Sequence, residues 1–474
     1  MPEIRPRIVA LLPDEPQANS TGGAVRAWYF LNSLARLGEL HAYTLTVGAN
    51  ERGFKFPDGA ICQINRVAPT ALQEKDTKPS PFTALQNLLF PWIRQGRSLI
   101  LSGYNICVSR SHLPSFSFLH QIYGFLLLTV FSWVRRLRIL APWDVHIRGK
   151  ALDIQLKRIE DDWRDESPDL IWIEHSYLYT VAEALKRKFP LAKVAINAHN
   201  VEAELKKSFA ANHTTWLGRS WGQEEAANVA AMERRMVSNA WLITCCSTED
   251  LNRFTKYQSP NKNTKVHLQV APNGVDTVYF RNLNEQSSRE KQIIIFTGTA
   301  GYSPNDDAVS WLTKNIWPTI RSKHPKAQLW LAGRNAAQHW QSSNLPSQGI
   351  QLFSDVADMR PLMSQASIAI VPLRSGSGTR LKILEAFSMG LPVVSTSIGA
   401  EGLGVQDHSD ILLANSAEHL ANSVNCLLEN ESLRSKLAKA GRHRAVTEFD
   451  WQTVCARFEA GFQSAWDDSE RSRL

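Results

Sequence analysis

The chain has 474 residues, of which 43% are hydrophobic and 21% charged, a composition typical of a globular protein with room for about two to three domains. Lys and Arg number 53 against 45 Asp and Glu; the net charge of +8 suits anionic ligands or lipid surfaces but is too weak to indicate nucleic-acid binding. The six cysteines have neither disulfide-framework nor zinc-site spacing, and the start of the chain lacks a signal-peptide pattern, so we expect a cytoplasmic protein.

Strands alternate with helices through the first half of the chain, which predicts a doubly wound α/β domain at residues 1–285. The first strand, at residues 8–12, is followed by Gly22 and Gly23 and then by a helix that ends at Gly38. A Gly-Gly pair at this place either lets the backbone approach a ligand phosphate or sugar, or only makes a tight turn. Further strands are predicted at residues 40–46, 169–174, 193–199, 241–245 and 266–272, with helices at 178–188 and 221–238.

The rim of this predicted sheet carries polar side chains. In doubly wound sheets, ligands bind at the carboxyl ends of the strands. His199 follows such a strand and precedes a helix, so it either caps that helix or points into the ligand crevice. The residues expected along this rim are Pro13, Glu174, His175, His199, Asn200 and Cys246.

Residues 82–150 do not follow this alternation and predict a hydrophobic helical insertion. Residues 116–134 contain no formal charge and are followed by three arginines at 135, 136 and 138. The run is at the length threshold of a membrane span, roughly 20 residues, but a single crossing would divide one sheet across the bilayer. We favour contact of residues 116–138 with the inner face of a membrane, through the headgroup region, over a helical hairpin packed on the domain.

A second alternation begins at Gln292 and predicts a second doubly wound domain at residues 286–450. Its strands are predicted at residues 293–298, 328–334, 350–353, 368–372 and 392–395, with a helix that runs to about Arg321. A final helix begins near Trp451, and residues 451–474 are expected to cross back to the first domain. Two such domains with facing rims would enclose a cleft.

The stretch 374–390 predicts a strand end, a Gly/Ser loop and a short helix. The helix is expected to start near Thr379, a good N-cap residue. Arg380 and Lys382 in its first turn oppose the helix dipole, and an anion bound there would remove that conflict. Glu385 lies on the same face, three residues past Lys382.

This helix is either a phosphate clamp or a surface helix whose charges are only solvated. Gly298 and Arg334 follow two other predicted strands of the same sheet, and the loop 375–379 follows a third. Because the carboxyl ends of parallel strands meet at one edge, several glycines and three cations are expected together there. This grouping favours the phosphate clamp.

Motifs along nearly the whole chain resemble those of the retaining glycosyltransferases of family 4, in the subset with a Gly-Thr-Arg-Leu-Lys-Ile-Leu-Glu-Ala run. The resemblance implies a GT-B fold of two Rossmann-like domains facing a cleft. It also implies a metal-independent hexosyltransferase reaction, without a further cofactor, in which a sugar moves from a nucleotide diphosphate sugar to an acceptor with retained configuration. The motifs that carry it are Thr21-Gly-Gly-Ala24, Ala198-His-Asn-Val-Glu202, Ala271-Pro-Asn-Gly-Val-Asp276, Phe296-Thr-Gly298, Leu331-Ala-Gly-Arg334, Gly376 to Glu385, Gly390-Leu-Pro-Val-Val394 and Thr396-Ser-Ile-Gly-Ala-Glu-Gly402.

The resemblance also implies roles for single residues. Gly22 and Gly23 would approach the donor phosphate or the transferred sugar, which His199 would contact. Arg380 and Lys382 would neutralise the diphosphate leaving group, and Glu385 would hold the ribose hydroxyls. The remaining donor-binding positions are Gly298, Arg334, Ser377, Gly378 and Thr379.

Two features depart from the family pattern. Ser377 replaces the first glutamate of the family's paired-glutamate motif, so its contact to the sugar comes from backbone groups of the loop or is missing. The usual Arg and Lys after the first strand of the second domain are also absent, which places that load on Arg380 and Lys382.

The predicted function is transfer to a lipid-linked or polysaccharide-type acceptor, in polysaccharide biosynthesis of the cell envelope, by a cytoplasmic protein that contacts the membrane surface. Two alternatives stay open: a nucleotide-sugar epimerase of the same architecture, and a non-catalytic nucleotide-sugar-binding subunit, which the serine at 377 would suit.

Overall fold

The computed structural model describes residues 5–17, 22–48, 51–56, 60–68, 149–211, 216–258, 266–283, 292–340, 349–376 and 380–471. The chain divides into two compact units, one formed by Met1–Thr244 with Phe254–His267 and the other by Cys245–Arg253 with Leu268–Leu474. Each unit contains one mainly parallel sheet with helices, so the predicted α/β class with two Rossmann-like units is confirmed. The predicted boundary at 285 and nearly all of the predicted insertion at 82–150 lie outside the described residues.

The first sheet has eight strands in the order β3-β4-β2-β1-β5-β6-β7-β8. The pairs β1–β2, β1–β5, β2–β4, β5–β6 and β6–β7 are parallel, whereas β3 and β4 pair antiparallel. The strands are β1 (Arg7–Leu12), β2 (Glu39–Val47), β3 (Glu51–Lys55), β4 (Ile61–Val67), β5 (Leu170–Glu174), β6 (Lys193–Asn197), β7 (Leu242–Cys245) and β8 (His267–Val270).

The helices up to β8 connect these strands in the way that parallel pairing requires. A 3-10 turn, Ser176–Leu178, lies between β5 and the helix Tyr179–Lys188 that follows it. The helices are α1 (Gly22–Leu37), α2 (Gly149–Asp162), α3 (Tyr179–Lys188), α4 (Glu202–Ala211), α5 (Trp216–Asn239) and α6 (Thr248–Thr255).

The sheet of the second unit has six strands in the order β11-β10-β9-β12-β13-β14, and all its pairs are parallel. Its strands are β9 (Ile293–Thr297), β10 (Gln328–Gly333), β11 (Ile350–Ser354), β12 (Ile368–Val371), β13 (Val393–Ser395) and β14 (Leu412–Leu413). Its helices are α7 (Ser303–Trp311), α8 (Trp317–Lys323), α9 (Ala336–Trp340), α10 (Arg360–Gln365), α11 (Leu381–Ser388), α12 (Ala417–Glu429), α13 (Glu431–Glu448) and α14 (Trp451–Arg471).

The central strands of both sheets are continuous apolar runs because both of their faces are covered. Every residue of β5, from Leu170 to Glu174, is buried, as is every residue of β12. Such runs favour β-branched and other apolar residues and are typical of parallel sheets. At the end of β5 a carboxylate is buried in the same environment, and this position is part of the candidate site described below.

The helix expected to run to about Arg321 ends close to that position, at Lys323, but it contains a π-helical turn at Leu312–Ile316, directly before Trp317 and Pro318. Proline has no N–H for an interior helical hydrogen bond, which accounts for the irregular turn before it. The helix expected to start at Thr379 starts at Leu381, with Arg380 in extended conformation at its N-cap.

Three strands were not predicted. The edge strand β3 and its neighbour β4 lie before the irregular region, and β14 has only two residues, too few for a periodic pattern. The apolar run 116–134 lies outside the described residues, and within the described part no helix has the length and apolar character to cross a membrane.

Candidate functional site

A buried polar network lies where three neighbouring strands of the first unit end. Glu174 ends β5 and pairs in register with Asn197, which ends β6; Asn197 in turn pairs with Thr244 of β7. Arg26 reaches the same place from α1, and all four side chains are buried. Polar groups so deeply buried are costly unless they are hydrogen-bonded, and each of these is.

Arg26 holds the amide of Asn197. Its Nε and Nη2 atoms donate to Oδ1 of Asn197 at 3.1 and 2.8 Å, and its guanidinium lies 4.4 Å from the ring centre of Phe30. The hydroxyl of Thr244 donates to the same Oδ1 at 2.8 Å. The opposite end of the amide, Nδ2, donates to Oε1 of Glu174 at 2.8 Å.

Glu174 is the centre of the network and is 1% exposed. Its Oε1 lies 2.5 Å from Nε2 of His199, and its Oε2 accepts from Nε1 of Trp172 at 3.0 Å. Burial raises the pKa of Glu174, while the charges of His175 and Arg26 and its hydrogen bonds act against that rise.

Two histidine rings stack beside this carboxyl group. The ring centres of His175 and His199 are 3.6 Å apart, and the other face of His175 stacks on Tyr177 at 4.8 Å. Burial lowers the pKa of both histidines well below its ordinary value, with the neighbouring ring a second cause for His175 and the charge of Arg26 a second cause for His199. Both rings are therefore neutral at pH 7. His175 has a backbone φ of 75°, which is unusual for a non-glycine residue.

Gly22 and Gly23, which were predicted to precede the helix, are the first two residues of α1, and the structure brings Gly23 to these two rings. A Cβ atom on Gly23 would lie 3.3 Å from Nε2 of His175 and 3.5 Å from Nδ1 of His199. A larger residue at 23 would occupy the space that these nitrogens border, so glycine keeps this approach open.

The alternative role for His199, capping of α4, is taken by another residue. The amide of Glu202, the first residue of α4, donates to Oε1 of Glu233 on α5 at 2.7 Å. Burial and the charge of Glu202 raise the pKa of Glu233 to about 8. Asn200, also predicted at the rim, donates from its side chain to Glu202 at 3.3 Å. Pro13 and Cys246 are buried at their strand ends.

In the second unit, the predicted cations lie at the start of α11. Arg380 is its N-cap residue and is 9% exposed; burial lowers its pKa, and the charges of Tyr302 and Glu401 act against this. Gly376 has a φ of 111°, and a Cβ atom there would lie 2.7 Å from Nη2 of Arg380. Only glycine satisfies both conditions, so Gly376 fits directly over the guanidinium.

Lys382, in the first turn of α11, reaches the carboxyl end of β9. Its Nζ donates to Oδ1 of Asn305 at 2.9 Å and lies 4.4 Å from the ring centre of Phe296. A Cβ atom on Gly298 would lie 3.0 Å from this Nζ, so the structure brings Gly298 and Lys382 together as predicted. Asn305 is itself fixed, because its Nδ2 donates to the carbonyl oxygen of Thr299 at 2.9 Å.

Lys382 and Glu385 have opposite pKa shifts. Burial, and secondly the charge of Arg380, lowers the pKa of Lys382 to about 7, against the opposing effect of Glu385. Burial raises the pKa of Glu385 to about 7, against the opposing effect of Lys382. Perturbed groups of this kind concentrate at functional sites, although structural ion networks also produce them.

Of the four remaining predicted donor-binding positions, the structure describes Arg334. Arg334 follows β10 and has an exposed side chain; its backbone carbonyl accepts from the amide of Ala300 at 2.9 Å. Ser377, Gly378 and Thr379 lie outside the described residues.

Three residues of the two clusters were missed from the sequence. Arg26 is a charged residue on the inner face of an otherwise apolar helix, which was a usable signal. Asn197 is the last residue of an apolar strand, and Asn305 is the third residue of a helix that follows Gly298. Neither position distinguishes a ligand-site residue from an ordinary polar one.

Comparison with known proteins shows what this chain is similar to. Residues 291–430 match the family model described as "Glycosyl transferases group 1". Among curated proteins, the glycogen synthase of Mycobacterium tuberculosis is 24% identical over 315 residues, which cover 64% of this chain and 70% of the relative.

Solved structures extend the likeness to nearly the whole chain. Sucrose-phosphate synthase from Thermosynechococcus elongatus has a TM-score of 0.63 at 13% identity, covering 98% of this chain and 100% of that one. HepE from Anabaena, solved in complex with UDP and glucose, has a TM-score of 0.58 at 12% identity, covering 97% of this chain and 100% of that one. The fold is therefore that of the GT-B glycosyltransferases. The family match within the second unit supports a glycosyltransferase.

Proposed function

We propose that the protein is a retaining glycosyltransferase that moves a sugar from a nucleotide diphosphate sugar to a lipid-linked or polysaccharide-type acceptor. In this reaction the bond between the anomeric carbon and the diphosphate breaks, and a bond to an acceptor oxygen forms on the same face. The acceptor's proton passes to the departing phosphate oxygen. Negative charge grows on the diphosphate as the bond breaks, so catalysis depends on groups that stabilise this charge.

The observation that carries the proposal is the pair of cations at the start of α11. Arg380 and Lys382 are held close to the N-terminus of a helix, in surroundings where burial penalises their charged forms. A diphosphate bound there would stabilise both cations, and the helix N-terminus would add its own attraction for an anion. Each preorganised donor of this kind is worth about 3–4 kcal/mol of transition-state stabilisation.

Two further features support binding of the rest of the donor. Glu385, one turn deeper than Lys382, supplies a carboxylate that can accept from the two ribose hydroxyls. In the first unit, we propose that Gly23 and His199 contact the transferred sugar. The presence of UDP-glucose in a structure of the Anabaena neighbour is consistent with a nucleotide-sugar donor here.

The clamp is tested by replacing its cations. In Lys382→Met and Arg380→Met we expect transfer to fall by about 100-fold or more, which corresponds to about 3 kcal/mol of lost transition-state stabilisation. A thermal-shift panel of nucleoside diphosphates and nucleotide sugars identifies the donor for this assay, because a bound ligand raises the unfolding temperature by mass action.

The matched control is Lys323→Met. Lys323 lies in the same unit, is exposed and pairs with Glu429 at 2.7 Å on the surface. Its replacement should leave transfer unchanged. Full activity in both clamp variants would refute the assignment.

The acceptor proposal rests on the sequence of residues 116–138. An uncharged run flanked by three arginines suits a headgroup region of anionic lipid, where a lipid-linked acceptor would be reached. Flotation with vesicles of anionic and of neutral lipid, for the wild type and for Arg135→Gln/Arg136→Gln/Arg138→Gln, tests this contact. We expect only the wild type with anionic vesicles to float, and equal flotation of both proteins would contradict it.

A further inference from the structure

The side-chain amide of Asn305 joins α11 to the loop that follows β9. Its Oδ1 accepts from Nζ of Lys382 at 2.9 Å, and its Nδ2 donates to the carbonyl oxygen of Thr299 at 2.9 Å. An ammonium has donors only and a carbonyl oxygen only accepts, so one orientation of the amide alone satisfies both neighbours. The two partners therefore fix the direction of both hydrogen bonds.

Asn305 is also fixed within its own segment. It is the third residue of α7 and is 7% exposed, and its backbone N–H donates to the carbonyl oxygen of Tyr302 at 2.9 Å. A Cβ atom on Gly298 would lie 2.9 Å from Cγ of Asn305 and 3.0 Å from Nζ of Lys382. Atoms of a packed protein do not approach so closely, so the glycine at 298 makes room for this contact.

The ring of Phe296 faces the same ammonium. Nζ of Lys382 lies 4.4 Å from the ring centre, and Phe296 is fully buried. The face of an aromatic ring attracts a cation but does not use up a hydrogen bond in the way that a carbonyl does. Of the three N–H bonds of the ammonium, Asn305 accepts one, and no other acceptor for Nζ lies among the residues that the structure describes. A phosphate oxygen can therefore bind Lys382 without breaking its bond to Asn305.

The contact of Lys382 with β9 and α7 is made by neutral groups. The charges that act on Lys382 are those of Arg380 and Glu385, at the N-cap and within α11 itself. An amide stabilises an ammonium by a hydrogen bond and leaves its charge in place, whereas a carboxylate at the same position would form an ion pair and compete with a bound anion.

The residues beside Asn305 show that this neutrality is local. The next two residues of α7 are aspartates, and their carboxylates bond elsewhere: Asp306 accepts from the indole of Trp340, and Asp307 accepts from Arg374. The start of α7 is thus acidic except at the position that contacts Lys382.

We propose that Asn305 is a positioning residue that holds the ammonium of Lys382 at the carboxyl end of β9 by a neutral hydrogen bond, so that the charge of Lys382 stays available to an oxygen of the donor diphosphate. The proposal rests on the proposed function for the identity of that ligand. The effect of Asn305 on the charge of Lys382 is a property of the protein alone and is measured without a ligand.

The pKa of Lys382 reports this contact directly. In protein labelled with ¹³C in its lysine side chains, the Cε signal of each lysine moves as its amine loses a proton, and the Lys382 signal is assigned by its absence in Lys382→Met. The wild-type pKa is about 7. In Asn305→Ala it should fall by about one pH unit, because the charged amine loses more from a missing acceptor than the neutral amine does. In Asn305→Asp it should rise by about one pH unit or more, because a carboxylate then lies beside the ammonium.

Binding of inorganic pyrophosphate, a diphosphate without sugar or base, gives the functional readout by calorimetry. Asn305→Ala should bind about tenfold more weakly at pH 7, and its affinity should begin to fall at a lower pH than that of the wild type. Asn305→Asp should also bind more weakly at pH 7, because its ion pair competes with the ligand, but its affinity should begin to fall at a higher pH. A displaced α7 would weaken binding without moving the pH at which affinity begins to fall.

The matched control is Asn430→Ala. Asn430 also stands at a helix N-terminus of the second unit, where its Oδ1 accepts from the backbone N–H of Leu433 at 2.9 Å, but it is exposed. Its replacement should lower the unfolding temperature through loss of this cap, and should leave the pKa of Lys382 and the affinity for pyrophosphate unchanged.

An unchanged pKa of Lys382 in Asn305→Ala, or weaker binding with no change in the pH at which affinity begins to fall, would overturn the proposal. Asn305→Asp keeps the size of the side chain and an acceptor for Lys382, so it decides the question if Asn305→Ala does not fold. Failure of the wild type to bind pyrophosphate or any nucleoside diphosphate would refute the proposed function, and the pKa of Lys382 in the variants would still decide the role of Asn305.

Discussion

Lys382 should make binding of a diphosphate depend on pH. Burial, and secondly the nearby charge of Arg380, destabilise the charged amine and lower its pKa to about 7. A bound diphosphate reverses this by placing negative charge beside Nζ, and so raises the pKa again. Between the pKa of Lys382 in the free protein and its higher pKa in the complex, binding of the diphosphate therefore takes up a proton.

The size of the effect follows from the pKa of the protein before binding. Above pH 7, each further unit reduces the protonated fraction of Lys382 about tenfold, so affinity for a diphosphate should weaken by about 1.4 kcal/mol per pH unit. At pH 8 only about one molecule in eleven carries the proton, and binding should take up about 0.9 proton. The sign is fixed: affinity falls as pH rises.

Calorimetric titration measures both quantities. The nucleoside diphosphate chosen by the thermal-shift panel is titrated between pH 7 and 9 in buffers of different ionisation enthalpy. Lys382→Met should bind more weakly at pH 7 but lose both the slope and the proton uptake. In Glu385→Gln the slope should persist and begin at lower pH, since the carboxylate that supports the charge of Lys382 is gone. Affinity that does not change with pH in the wild type, or an equal slope in Lys382→Met, would refute the reasoning.

Two further predictions concern the absence of a metal and the packing of the second sheet. Treatment with a chelator should leave transfer unchanged, because we propose that Arg380 and Lys382 carry the charge stabilisation; loss of activity that returns with a divalent cation would contradict this. Gly333→Ala should lower the free energy of unfolding by more than 2 kcal/mol and impair donor binding, because its Cβ would lie 1.8 Å from the carbonyl oxygen of Gly298 and force the backbone next to Lys382 to move. Gly390→Asn is the control in chemical denaturation, since a Cβ there has no neighbour within 4 Å and asparagine tolerates the φ of 59°.

The strands that the sequence predicts well are those buried on both faces. β1, β5, β9 and β12 are apolar runs of a length that only a parallel sheet explains, and the predicted positions agree with the structure to within one or two residues. The association of Gly298 with Lys382 was also predictable, because strand carboxyl ends of a parallel sheet share an edge.

The details that failed depend on contacts between distant parts of the chain. Thr379 is a better N-cap by residue type, yet α11 begins after Arg380, where the backbone is extended and the guanidinium packs against Gly376. The partnership of Arg26 with Asn197 joins residues 171 positions apart. No local pattern contains that information, since each residue is ordinary in its own segment and only the strand order brings them together.

That long separation also has a consequence for synthesis. Arg26 is fully buried at the inner face of α1, and its acceptor, Asn197, is made much later. Until β6 has been synthesised and paired, burying α1 on the sheet would leave a guanidinium without that acceptor, which is strongly destabilising. We therefore expect the nascent N-terminal half to stay open to chaperones and proteases, and to close cooperatively only after residue 197 has left the ribosome.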